Sequence, residues 1–330
     1  MQVQRETLSA VPVGCSGVDL VLPASPAAPL TPSATLHGRW PISLRAWVTL
    51  PAIGGGPEFG SGARWGTGFY PQAMSGEFEV ICEVEPATRS DLTHVRHQIG
   101  VLSKVATAFL IPDNHLGRAT VSSVAVAHEV AQMGGRAIAC LNARDRNLLG
   151  FRRDLLTAAA YGVDDFLFVY GDRPASGIRS GDLTVRGMLR EARLFPVGPS
   201  GTRGGFRVAV TSGLAPLPTW KHDADALFVQ VGFSVPKLLD WRTSVDFRGS
   251  VFAGVMVVPS VAMARKLSAD VPQLQVPEEV IALIEQDPDA GVELACSLIG
   301  EIRASGLFDG VHLIPVSRYR EVARRLEQEV

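Results

Sequence analysis

Charge is scarce in this sequence: 19% of the 330 residues are charged, and the net charge is −2. There is no basic surplus to draw nucleic acid or an anionic membrane surface, so neither is expected as a partner. Uninterrupted apolar runs are also lacking, and none approaches the roughly 18 residues needed to span a bilayer. The cysteines Cys15, Cys82, Cys140 and Cys296 are scattered and never form a Cys-x-x-Cys pair. Disulfides and zinc are therefore not expected. Cys82 and Cys140 read as strand residues and Cys296 as a helix residue, all three small and buried, in a reducing cytoplasm. No Gly-x-Gly-x-x-Gly turn follows the first strand, which argues against a dinucleotide-binding open sheet. Residues 1–73 contain no lysine but 10 glycines and 9 prolines. They show little periodicity and no basic segment followed by an apolar core, so a secretory signal is not expected. They read as a non-globular extension, with Met74 directly before the first convincing strand as an alternative start.

A regular pattern begins at residue 77. Strand-like runs occupy about 77–85, 108–112, 136–142, 165–170, 206–212, 226–232, 251–258 and 310–316. Helical spacing fills 90–105, 121–134, 145–163, 181–194, 235–246, 260–270, 289–305 and 318–329. Only the connection 214–225 is short and interrupted by proline. Eight strands alternating with helices in about 250 residues predict a closed (β/α)8 barrel over 74–330. The alternative is an open doubly wound sheet.

The unit at 165–177 shows why the barrel matters for function. Phe166-Leu167-Phe168-Val169-Tyr170 fits a buried strand, Gly171 stops it, and Asp172 follows at once. In α/β proteins ligands meet side chains at the carboxyl ends of strands. The other strand ends supply Glu83 and Glu85, Asp113-Asn114-His115, Asn142, Gln230 and Ser317-Arg318. Any one of these carboxylates is as readily a loop cap as a site residue. Together they suit a polar, nitrogen-rich substrate with an anionic tail.

At this point the residues resemble a known family, the methylenetetrahydrofolate reductases, over about 77–329. Cys82-Glu83-Val84-Glu85-Pro86 is similar to the family's first-strand Phe-Glu-Phe-Phe-Pro segment. Tyr170-Gly171-Asp172 is similar to its Arg-Gly-Asp segment, Gln230-Val231-Gly232-Phe233 to its Gln-Phe-Phe-Phe segment, and Ser317-Arg318 to its late Asn-Arg. The resemblance implies reduction of 5,10-methylenetetrahydrofolate to 5-methyltetrahydrofolate with electrons from NADH or NADPH. It also implies a role for each matched residue. Glu83 would be the acid that protonates the folate N10, a task that desolvation favours by holding a carboxyl protonated near neutrality. Asp172 and Gln230 would read the pterin edges, Phe233 would pack on a substrate or nicotinamide ring, and Arg318 would bind the glutamate tail. Spacing alone leaves Glu85 as a rival to Glu83, two residues on along the same strand.

Departures from the family gather at its flavin positions. Pro112-Asp113-Asn114-His115 replaces Val-Thr-Tyr-Gly, Ala137-Ile138-Ala139 replaces the flavin-side His-Leu-Thr, and Tyr170 stands in place of arginine. The segment Leu214 to Lys221 is also short. This pattern resembles the divergent bacterial branch that passes hydride directly from the nicotinamide to folate, so FAD is not expected in its usual seat. Asp113, Asn142 and Tyr170 are the expected cofactor contacts. A non-catalytic folate-binding paralogue and a flavin enzyme with a rearranged site remain the alternatives, and the expected assembly is a monomer or small homo-oligomer. Two further features read as structural: His128-Glu129 lies mid-helix, and the glycine-rich run 198–205 is a loop without the lysine of a phosphate loop.

Overall fold

A computed structural model of the chain describes residues 77–172, 177–197, 202–203, 205–270, 274–287 and 289–328. The expectation of an extension over 1–73, and Cys15 with it, falls outside those residues. The barrel strands are β1 (Glu79–Glu83), β2 (Ala108–Ile111), β3 (Ala137–Asn142), β4 (Asp165–Val169), β5 (Arg207–Ser212), β6 (Ala226–Val229), β7 (Ser250–Met256) and β8 (Gly310–Ile314). Each pairs in parallel with its sequence neighbours, and β8 returns to β1 in the register Ile81↔His312, closing the barrel. Gly310 belongs at that seam because a Cβ there would collide with the carbonyl oxygen of Glu79.

These strands are buried on both faces, as near-continuous apolar runs require. Alternation sends Ile81, Leu110, Ile138, Cys140, Leu167, Phe228 and Phe252 into the lumen, and Val80, Cys82, Phe109, Phe166 and Phe168 outward against the helices. Phe228 and Phe252 pack 5.1 Å apart between ring centroids. The amino-terminal end of the lumen is closed by charge: Glu79 meets Arg136 at 3.3 Å, and Asp165 takes two contacts from Arg207, at 2.5 and 2.7 Å. Burial pushes the Asp165 carboxyl up to about 6 although the Arg207 guanidinium opposes it.

The outer ring is formed by α1 (Thr93–Leu102), α2 (Ser123–Gln132), α3 (Leu148–Ala160), α4 (Val185–Leu194), α5 (Val235–Ser244), α6 (Val261–Asp270), α7 (Glu278–Gln286), α8 (Ala290–Ser305) and α9 (Tyr319–Glu327). Starts and stops follow local chemistry. Asn147 and Thr184 cap α3 and α4 by accepting the N–H of Gly150 and Gly187, and Gly306 ends α8 in the left-handed region. Helix α7 is an addition to the expected elements. It turns Val280, Ile281 and Ile284 onto a satellite core with Val258, Ala264 and Val276. Between β5 and β6 there is only a 3-10 turn, Thr219–Asp223. Alongside it a cavity of about 710 Å³ opens on the outer flank of α5, lined by Leu214, Leu217, His222, Lys237, Trp241 and Asp246 among others.

The structural reading of His128-Glu129 holds. His128 stacks on Tyr161 and Glu129 pairs with Arg96 at 2.8 Å. The glycine-rich run 198–205 lies mostly outside the described residues; within it Thr202–Arg203 pairs antiparallel with Pro196–Val197. Cys82, Cys140 and Cys296 are buried, and burial pushes the Cys82 thiol up to about 12.

Candidate active site at the carboxyl ends of the strands

Glu83 is the last residue of β1, two positions beyond the lumen residue Ile81, and its side chain is 15% exposed. Its Oε2 lies 3.2 Å from Nε2 of His312, which projects into the lumen from β8. The His312 ring is itself buried and meets Phe228 edge-on at 5.4 Å. Glu85 does not share this position. The strand ends at Glu83, and the chain then turns onto α1, where Gln98 bonds both the N–H and the carbonyl of Glu85. The Glu85 side chain is 60% exposed, 3.7 Å from His94. Spacing along an ideal strand placed the two glutamates together. The end of the strand separates them.

Asp113 and Asn142 form one buried network. Oδ2 of Asp113 accepts the backbone N–H of Asn142 at 2.9 Å, the Asn142 side-chain amide at 2.7 Å and Arg146 Nη1 at 2.6 Å. Arg146 also donates to the carbonyl of Asn142 and to Asp154. A carboxylate oxygen with three donors at these distances is fully engaged. Above it, Asp145 accepts from Arg144 and from Asn114, joining the loops that follow β2 and β3. Both carboxylates thus hold the floor of the mouth.

Gly171 has φ +95, and a Cβ there would lie 2.9 Å from the Asn142 side chain, so only glycine lets the chain cross at this point. Tyr170 before it is half exposed, with its hydroxyl accepting from Arg179 at 2.9 Å. Asp172 after it accepts the N–H of Leu116 at 3.0 Å. Gln230 follows β6 with its backbone bonded to Ser212 and its side chain exposed, alongside the exposed Thr211.

Phe233 and Arg318 sit differently. Phe233 is partly buried and packs on the satellite core under α6 and α7. The Arg318 guanidinium is paired with Asp289 and with Glu321 at 3.4 Å. The geometry thus gathers Glu83, Asn142, Asp113, Tyr170, Asp172 and Gln230 at the carboxyl-terminal ends of β1 to β4 and β6, and gives Phe233 and Arg318 protein partners of their own. Sequence reasoning passed over His312. The signal was present in the period-2 alternation of Gly310-Val311-His312-Leu313, which aims a polar side chain into the lumen beside Ile81 and Phe228.

No family model matches the chain, and no curated protein matches it in sequence. Among solved structures, an uncharacterized protein from Clostridium thermocellum that binds two copies of 5-methyl-5,6,7,8-tetrahydrofolic acid superposes with a TM-score of 0.53. It is 11% identical, over 77% of this chain and 97% of its own. The 7,8-dihydropteroate synthase of Vibrio fischeri ES114 reaches 0.43 at 10% identity, over 77% and 93% of the two chains. DmoA from Hyphomicrobium sulfonivorans reaches 0.41 at 9% identity, over 76% and 87%. At such identities the likeness is one of fold: a (β/α)8 barrel.

Proposed function

We propose that this protein reduces 5,10-methylenetetrahydrofolate to 5-methyltetrahydrofolate, with hydride passed directly from NADH or NADPH. The observation that carries the reading is Glu83, a largely buried carboxyl at the lumen end of β1 with a second titratable side chain 3.2 Å away. A binding pocket has no need of a proton donor there; opening the folate's five-membered ring does. The folate-binding barrel from Clostridium thermocellum supports the substrate class.

In this reading Glu83 gives its proton to N10. The bond from N10 to the bridging methylene then breaks, leaving an N5 iminium. The nicotinamide supplies the hydride that converts this iminium to the methyl group. Asp172 accepts from the pterin amino and ring N–H groups, and Gln230, as donor and acceptor, reads the other edge. Tyr170 presents its half-exposed ring to the nicotinamide. Asp113 and Asn142 act from below, fixing the loops that carry these groups. Phe233 and Arg318 contribute to substrate binding once the ligand draws them from their present partners.

The engagement of Asp113 Oδ2 with the Asn142 amide and Arg146 supports the flavin-free form of the reaction, because it commits that oxygen and that amide to contacts within the protein. The test is folate-dependent NADH oxidation by the purified full-length chain, colourless and with no flavin added, beside Glu83→Gln. Turnover in the wild type that is lost in the variant is the expected result. Turnover only after FAD is added overturns direct transfer, and binding of methylenetetrahydrofolate without turnover overturns the reductase reading.

A further inference from the structure

We infer that His312 is the positioning residue for Glu83. Its Nε2–H holds Oε2 of the carboxyl, so that the transferable proton resides on Oε1 and faces the mouth. The inference rests on the reading of Glu83 as the acid and adds a second residue, from the opposite end of the chain, to that task.

The argument begins with what surrounds the pair. Nε2 of His312 is buried, lies 3.2 Å from Oε2, and has no other partner among the described residues. The contact is within ion-pair reach but off the axis of a linear hydrogen bond. Such contacts between catalytic groups tighten when substrate arrives. The ring has little freedom to turn away: Phe228 stands edge-on against it, and the neighbouring strands β1 and β7 present Ile81 and Gly254 in register. Glu83 makes no side-chain hydrogen bond among the described residues, so the 3.2 Å contact with His312 is the polar one its carboxyl has there.

The proton count then selects the tautomer. A protonated carboxyl has one O–H and one oxygen that only accepts. If Nε2 carried a lone pair, it would draw the carboxyl proton inward, away from the folate. With Nε2–H as donor, Oε2 is the acceptor and Oε1–H points outward. Once the proton has left for N10, the same Nε2–H holds the carboxylate until water reprotonates it. The other groups facing this part of the lumen do not compete. Burial pushes the Cys140 thiol well above its ordinary range, with Asp113 and Glu83 adding to the effect, so it stays neutral. Asp113 has its charge matched by Arg146 at 2.6 Å.

Two readouts test this. Long-range 1H–15N correlation spectra of the imidazole-labelled full-length chain report the His312 tautomer without reference to activity. The expected result is the Nε2–H form near neutral pH, with a resonance that moves in Glu83→Gln. Steady-state kinetics of His312→Gln and His312→Phe supply the second. Phe should lower kcat roughly ten- to hundred-fold with KM little changed, as misorientation of a reacting group does. Gln, whose amide donates from nearly the same place, should restore much of the rate. An Nδ1–H tautomer indifferent to Glu83→Gln overturns the inference whatever the activity, as does a Phe variant with the wild-type kcat. An Nε2–H tautomer in a protein without folate-dependent NADH oxidation overturns the functional reading while the pair stands.

Discussion

The carboxylate of Asp172, after β4, accepts the backbone N–H of Leu116 in the loop after β2 at 3.0 Å. Leu116 is in the left-handed region at φ 54, as is Asn114 at φ 49, so this loop is held in a conformation that non-glycine residues seldom adopt. Asp172 is therefore both a proposed pterin ligand and a brace for a neighbouring loop.

Those two duties separate by substitution. Asp172→Asn keeps an acceptor for Leu116 but loses the charge, whereas Asp172→Ala loses both. Both should weaken methylenetetrahydrofolate binding by about ten-fold, the ~1.5 kcal/mol of a hydrogen bond to a charged group. Only Ala should speed proteolysis of the 114–118 loop. Calorimetry and limited digestion read the two effects, and wild-type affinity in Asp172→Ala would leave this residue as a brace alone.

Gly171→Ala should lower stability by about 1–3 kcal/mol, because alanine must hold φ +95 and also displace the Asn142 side chain. Urea unfolding should show a lower midpoint with an unchanged slope. A midpoint equal to wild type would mean that the chain at this point can relax.

Arg146→Met should cost about 3–5 kcal/mol, since it leaves Asp113 buried with only the Asn142 donors. Adding Asp113→Asn should recover part of that loss. Thermal melts of the single and double variants measure it, and additive losses would show that the two residues are uncoupled.

The Asp165 carboxyl should make stability depend on pH in an unusual direction. Its pKa in the folded chain, about 6, lies above the ordinary 3.8, so the folded state holds this proton more tightly than the unfolded one. The resulting stabilisation is complete below about pH 3.8 and is lost as pH rises through 6. Between pH 4 and 7, wild type should therefore lose stability relative to Asp165→Asn. Glu79, also raised by burial, is present in both proteins and cancels. Parallel slopes in denaturant titrations at several pH values would rule the effect out.

Much of the barrel was legible because its strands are apolar on both faces and its helices on one. The runs at 108–112 and 165–170 differ from the observed strands by a single residue at one end. Helix α7 escaped notice because Glu278–Gln286 lies between two longer helices and starts at Pro277 without a side-chain cap. Within the site, strand-end residues were predictable in place but not in partnership. Nothing local tells that Asp113 meets Arg146, 33 residues on, or that Arg318 turns to Asp289. The alternation of β8 could place His312 in the lumen, but its partnership with Glu83 depends on β8 lying beside β1.

That seam also fixes an order in time. Glu83 is near the start of the barrel and His312 near its end, so during synthesis the first waits for almost the entire domain to be made before the second exists. The contact between them is among the longest in sequence separation that the fold offers, and such contacts form late. A chain stalled or cut before Gly310 has seven strands, an open edge on β1 and an unaccompanied carboxyl. Closure of the barrel and the meeting of Glu83 with His312 are then a single event.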